Sequence, residues 1–139
     1  MIREPLFTQI VSLMPIPSVE AVVLNKKDEL LVLKRKNPPA KNEWWFPGGR
    51  MRKGETFEET LNREVKEETG LDVKIIKLLG VYSRVFLERH DVSIVFLCEY
   101  NSGNMVLNSE HSEYRFLSIS ESLTKLHPEL QKVVRDAFC

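Results

Sequence analysis

The stretch that most constrains this chain runs from Gly49 to Leu71, GRMRKGETFEETLNREVKEETGL. It opens on a glycine turn. Its spacing then predicts a helix from about Thr56 to a stop at Gly70, where a helix end favours a residue tolerant of positive φ. In that helix Glu64, Glu67 and Glu68 stand at i, i+3 and i+4, so their carboxylates share one face. Like charges at that spacing repel, and helix stability gives no reason for them. A hard divalent cation does, because Mg²⁺ takes oxygen ligands and bridges to phosphates. Phe57, Leu61 and Val65 make an apolar stripe beside the acidic one, so one stripe is expected on a sheet and the other in a cleft.

Around that stretch the chain reads as mixed strands and helices. Residues 2–14 place Leu6, Phe7, Ile10, Val11, Leu13 and Met14 on a helical period closed by Pro15 and Pro17. A short amphipathic helix within residues 1–15 must cover something, either its own domain or a second copy in a homodimer. Val19 to Leu24 and Glu29 to Lys34, joined by Asn25-Lys26-Lys27-Asp28, predict a hairpin. Trp44-Trp45-Phe46 predicts a short strand ending at Pro47-Gly48-Gly49, with alternation burying only part of the aromatic set. Val73 to Tyr82 and Val92 to Tyr100 are β-rich, and Gly80 marks a bulge in the first. Ser102-Gly103-Asn104 reads as a turn, Met105 to Leu107 as the start of a further strand, and Tyr114 to Leu117 as another. A last helix starts at about Pro128, with Leu130, Val133, Val134, Ala137 and Phe138 on one face. The expected whole is one α+β unit over residues 1–139.

The chain's 139 residues suit one core rather than two. The formal net charge is zero, so no global basic field argues for a polymeric nucleic acid, although a local Arg and Lys cluster could serve a nucleotide. Of the two cysteines, Cys98 lies in an apolar run as a small hydrophobe and Cys139 is the last residue. Neither predicts a disulfide framework, a zinc motif or a catalytic thiol. With no signal-peptide pattern and no apolar run of membrane-spanning length, a cytoplasmic protein without a membrane partner is expected.

Gly49, Glu55, Arg63, Glu64, Glu67, Glu68 and Gly70, with apolar Val65 and Leu71, fill every fixed position of GX5EX7REUXEEXGU, where U is apolar. Ordinary residue frequencies put chance occupancy on the order of 10⁻⁹ per starting position. A charged, solvated helix with a glycine cap would explain two or three glutamates, but not their register with Gly49, Glu55 and Arg63. The chain resembles the Nudix hydrolases through this box, at residues 49–71. The resemblance implies a Nudix fold, a mixed sheet between helices. It also implies hydrolysis of a nucleoside diphosphate linked to another group, dependent on Mg²⁺ or Mn²⁺. Glu64, Glu67 and Glu68 then look like metal ligands, with Gly49 a further one through its carbonyl. Glu55 and Arg63 look like a paired brace, Glu55 also standing near metal. A glutamate takes the proton from the attacking water, Glu64 ranking first.

A narrower similarity, to GDP-mannose mannosyl hydrolases, rests on LLVLKRKNPPAKNEWWFPGGR and SEHSEYRFL. It implies that Arg35 and Arg50 contact the diphosphate and that His111 is the general base. Those enzymes attack the sugar carbon and release GDP and sugar, but they lack the glutamate that here is Glu64. An intact box favours attack at phosphorus, on a nucleotide sugar or a nucleoside triphosphate. Glu110 and Glu113, beside His111, compete as an extra ligand or base. His111 also has a plain reading as a surface histidine, His90 as a solvated one and His127 as a helix-start residue. A third expectation, a non-catalytic nucleotide sensor, fits poorly with a box that keeps all its glutamates.

Overall fold

The computed structural model describes residues 4–139. Its chain order is α1 (Leu6–Leu13), β1 (Ile16–Leu24), β2 (Leu30–Arg35), β3 (Trp44–Trp45), β4 (Gly48–Arg50), α2 (Phe57–Thr69), β5 (Leu71–Val85), β6 (His90–Gly103), β7 (His111–Leu117), α3 (Ile119–Lys125) and α4 (Pro128–Phe138). The strands form one mixed sheet in the order β3-β2-β1-β6-β5, with β4 added on β1 and β7 on β2. β1 and β6 are parallel and the other pairings antiparallel.

Alternation along β1 divides its side chains between two cores. Val19, Ala21 and Val23 join Leu31 and Leu33 of β2 against Leu61 and Val65 of α2. Val22 joins Val32 and Val95 against Leu130, Val133 and Val134 of α4 on the opposite face. The sheet therefore lies between helices, the α+β arrangement that the resemblance implied.

α2 starts where its chemistry says it should. Thr56 and Glu59 form a capping box, and Gly70 ends the helix in the left-handed region at φ 75°. The β1–β2 hairpin is present, its turn held by Asn25 Oδ1 accepting from the Lys27 and Glu29 amides. The register of β5 against β6 shifts between Leu78 and Gly80, the bulge expected at that glycine. Trp45 and Phe46 are buried and Trp44 half-buried, as alternation required.

Three expectations are corrected. Met105–Leu107 is not a strand: it crosses the end of α2, where the Val106 amide donates to the Thr69 carbonyl at 2.8 Å and the Asn108 amide to the Glu68 carbonyl at 3.2 Å. Those carbonyls lack helical partners, and the loop supplies them. Ser102 and Gly103 do not turn but continue β6, paired with Asp72 and Leu71, because β5 begins directly after α2 and extends the ladder. α3 was not foreseen, although Ser118 and Glu121 form a second capping box.

The expected N-terminal helix begins partly in residues 1–3, outside the described residues. The part described, α1, has no buried residue, and Leu6, Leu13 and Met14 are exposed. It meets the body through Phe7, whose ring lies 4.2 Å from the Arg50 guanidinium and 6.0 Å from that of Arg89. Among the described residues no helix is long and apolar enough to cross a membrane.

Candidate active site

The site is organised by the short strand β4. Gly48, Gly49 and Arg50 pair with Glu20, Val19 and Ser18 of β1, bringing the glycine turn onto the sheet. A Cβ on Gly48 would lie 2.2 Å from the Val19 carbonyl oxygen, so only glycine fits this approach. A Cβ on Gly49 would instead meet the Glu64 carboxylate at 2.5–2.8 Å. The bare backbone of Gly49 thus makes room for a carboxylate.

Glu68 is 4% exposed, and its Oε1 accepts from the Gly48 amide at 2.8 Å. Burial pushes its carboxyl well above the ordinary range, against the opposing pull of that amide. Its Oε2 stands 3.9 Å from His111 Nε2. The other His111 nitrogen, Nδ1, lies 3.1 Å from Asn108 Oδ1, an acceptor, which assigns the neutral ring its proton on Nδ1. The Nε2 lone pair then faces Glu68. Burial, with Arg35 and Lys36 nearby, lowers the His111 pKa to about 4, keeping the ring neutral at ordinary pH. Glu68, Glu110 and His111 each offer one ligand atom within 4.8 Å of the others.

Arg63 holds the remaining carboxylates. It grips Glu55 bidentately, Nε to Oε2 at 2.6 Å and Nη2 to Oε1 at 2.9 Å. Nη1 donates to Glu64 Oε1 at 2.6 Å and stands 3.5 Å from Glu67 Oε2, while Nη2 also reaches the Arg50 carbonyl at 3.1 Å. The guanidinium, then the Arg52 amide and the Thr60 hydroxyl, hold Glu55 down to about 2. Both its oxygens are thus engaged, by Arg63, the Arg52 amide and the Thr60 hydroxyl. Glu64 is raised by burial, Arg63 pulling the other way. Glu67 is half exposed.

Glu64, Glu68 and Glu110 line a cleft of about 340 Å³ together with Arg35, Arg50, Arg52 and Arg89, while Glu55, Arg63, Glu67 and His111 lie outside its lining. Arg35 is fixed by donating Nε to the Pro39 carbonyl at 2.7 Å. The structure thus brings together Gly49, Glu64, Glu68, His111, Glu110, Arg35 and Arg50. It does not bring in Glu113, which pairs with Lys34 at 3.6 Å and does not line the cleft. His90 contacts the Ser83 hydroxyl at 2.7 Å, and His127 caps α4.

A carboxylate cluster beside a row of guanidinium groups suits a diphosphate bridged by a divalent cation. The sequence profile of the NUDIX domain matches residues 14–137. The chain belongs to the Nudix family. The ADP-ribose pyrophosphatase of Methanocaldococcus jannaschii is 38% identical over 116 residues, covering 82% of this chain and 68% of that protein. The low-salt glycan biosynthesis protein Agl8 of Haloferax volcanii is 29% identical over 131 residues, covering 88% and 82%. The crystal structure of a MutT protein from Methanosarcina mazei superposes with a TM-score of 0.81 at 30% identity, covering 88% of this chain and 93% of that one. As a Nudix member the chain is a hydrolase of nucleoside diphosphate-linked substrates that works with a divalent cation.

Sequence reasoning missed a further part of the cleft lining, where Ser18, Glu20, Asp91 and Ser93 are buried polar residues. A signal existed in Glu20, a charge between Val19 and Ala21 in an apolar strand. A charge that must be buried there needs a partner, and the sequence did not name one.

Proposed function

We propose that the chain hydrolyses a small nucleotide, a nucleotide sugar or nucleoside triphosphate, by attack of water at phosphorus, with Mg²⁺ or Mn²⁺ held by Glu64, Glu67 and Glu68. The observation that carries this reading is the seating of Glu64 and Glu68 on the glycine turn: Glu64 fills the space a Gly49 side chain would take, and Glu68 is pinned to the Gly48 amide. Two carboxylates drawn together, Glu68 buried and Glu64 partly so, repel each other and fit a divalent cation. A divalent cation held there would neutralise diphosphate oxygens and lower the pKa of a bound water, leaving its proton for a nearby base.

The chain's own residues supply position and a proton acceptor. Arg35 and Arg50 bind the diphosphate oxygens, for which planar guanidinium forks are suited. Arg63 acts as a positioning residue, because its donors are already spent on Glu55, Glu64, Glu67 and the Arg50 carbonyl. Glu64 is the first candidate to take the water's proton, its affinity raised by burial. His111, neutral and with Nε2 free, is the second; Glu110 is an alternative ligand beside it.

Attack at the sugar carbon has less support. Glu64, absent from the mannosyl hydrolases, is present and built into the site, and the relative from Methanocaldococcus jannaschii is named a pyrophosphatase. The test is Mg²⁺-dependent hydrolysis of ADP-ribose, nucleotide sugars and nucleoside triphosphates in ¹⁸O-water. Label in the phosphate product is the expected result, and label in the sugar would reverse the assignment.

A further inference from the structure

A helix held on for stability alone presents an apolar stripe and buries it. α1 does not: it buries no residue, and Leu6, Leu13 and the flanking Met14 are exposed. Its one aromatic side chain, Phe7, lines the cleft beside Arg50 and Arg89. The contact that joins this helix to the body therefore falls on the candidate site rather than on a core.

Three arginines of the cleft differ in how they are held. Arg35 donates Nε to the Pro39 carbonyl at 2.7 Å. Arg89 grips Asp91, with Nε 2.9 Å from Oδ1 and 3.1 Å from Oδ2, and Nη2 2.6 Å from Oδ1. Arg50 has no polar anchor of that kind among the described residues; its guanidinium lies over the Phe7 ring, 4.2 Å from the centroid. The Arg50 guanidinium sits among like charges. Burial, then the charge of Arg89, lowers its pKa, with Glu64 pulling the other way. The negative face of an aromatic ring offsets such repulsion, and it does so without consuming a donor. Guanidinium N–H groups lie in the plane of the group, so a ring on its face leaves them free for oxygen acceptors. A carboxylate anchor would instead occupy two donors and repel an incoming phosphate, as Asp91 does at Arg89.

We propose that Phe7 is a positioning residue that holds the Arg50 guanidinium in the cleft with its donors free for the substrate's phosphates, so that α1 completes the diphosphate site. The inference rests on Arg50 binding a diphosphate, as proposed above.

The test is calorimetric binding of pyrophosphate and of ADP, each with Mg²⁺, to the wild type, Phe7→Tyr, Phe7→Leu, Arg50→Ala and the double variant Phe7→Leu/Arg50→Ala. Phe7→Tyr keeps the ring, while Phe7→Leu keeps apolar bulk and loses the π face. Melting temperatures of the Phe7 variants should stay close to wild type, because α1 buries nothing. Phe7→Leu should weaken both ligands roughly three- to thirty-fold, the range of a cation–π contact from exposed to desolvated, and Phe7→Tyr should bind as the wild type does. In the Arg50→Ala background Phe7→Leu should change affinity by less than about two-fold, since the ring acts through that guanidinium. In turnover of a diphosphate-linked substrate the loss in Phe7→Leu should fall mainly on KM, with kcat within about two-fold.

Wild-type affinity in Phe7→Leu, or a loss that persists in full without Arg50, would overturn the proposal while leaving the diphosphate site in place. Affinity unchanged by Arg50→Ala, or no binding by the wild type, would overturn the assignment of Arg50 and this inference with it. Binding graded as expected, without hydrolysis of any diphosphate-linked substrate, would sink the hydrolytic reading and leave this inference standing.

Discussion

At one end of the cleft Glu64, Glu67 and Glu68 come from a single turn of α2, and Arg63 beside them ties in Glu55 from eight residues earlier. At the other end Glu20, Trp45 and Arg84 come from three strands, 25 and 64 residues apart in sequence. The first end gathers carboxylates in excess of the Arg63 guanidinium tied to them, which suits a cation. The second pairs one carboxylate with one guanidinium in an enclosed ion pair, which suits a fixed wall. The proposed chemistry thus belongs to the local end, and the end built by topology walls the cleft. That division can be broken by showing that either end does the other's work.

The largest effect is expected for Glu68→Gln. Glutamine still accepts from the Gly48 amide, which at 2.8 Å is the residue's main polar contact, and it removes a charge buried to 4% exposure. Activity with Mg²⁺ should fall by about two to three orders of magnitude, while the melting temperature holds or rises. Mg²⁺-dependent turnover near the wild-type rate would remove Glu68 from the metal site.

Arg63→Lys should cost less, roughly ten- to a hundred-fold in kcat, because a lysine cannot hold Glu55 bidentately and reach Glu64 together. It also has a signature in stability. Glu55 is held at about 2, below its ordinary 4.5, so in the wild type it contributes stability above pH 4.5 that is lost as pH falls towards 2. In metal-free buffer, urea midpoints of wild type and variant should therefore converge across that window and differ most near neutrality. A gap that persists unchanged at pH 2 would mean that Arg63 stabilises the fold by some other contact.

How much of this could be seen in the chain follows the same division. The carboxylates, Gly70 and the apolar stripe of α2 obey the helical period, so the local geometry of the box end was legible, including the pairing of Arg63 with Glu55. Glu20 was not, because its meaning depends on Arg84, which reaches it only after β6 has returned parallel to β1 and β5 has paired with β6. Met105 and Leu107 misled for a related reason: they are apolar because they pack on the α2 core from a loop, and burial alone does not distinguish a loop from a strand. α3 was within reach, since Ser118 and Glu121 carry the capping-box spacing in plain sequence.

The two glycines of the turn refine the account of the box end. At Gly48 the added Cβ meets backbone, at 2.2 Å, which cannot yield without moving β1; Gly48→Ala should cost about 3 kcal/mol of stability, measured by denaturant unfolding. At Gly49 it meets the far end of Glu64, which can swing aside. Gly49→Ala should therefore stay close to wild type in stability while losing about ten-fold in activity as Glu64 is displaced. If both substitutions act alike, on the fold alone, Gly49 has no special relation to the Glu64 carboxylate.

The smallest difference separates two glutamates three residues apart. Glu110 lines the cleft, with a ligand atom within 4.8 Å of those of Glu68 and His111. Glu113 is exposed and paired with Lys34 at 3.6 Å, the kind of surface contact that contributes less than about 1 kcal/mol. Glu110→Gln should lower kcat several-fold and raise the Mg²⁺ concentration needed for half-maximal rate, as expected for an accessory ligand. Glu113→Gln should leave both within about two-fold. Nothing in the spacing of Ser109-Glu110-His111-Ser112-Glu113 ranks these carboxylates; the structure does, with His111 opposite Arg35, an irregular β2–β7 register between His111 and Tyr114, and Glu113 paired with Lys34 outside the cleft lining. An equal response of the two variants to Mg²⁺ would mean that this strand does not decide which glutamate serves the site.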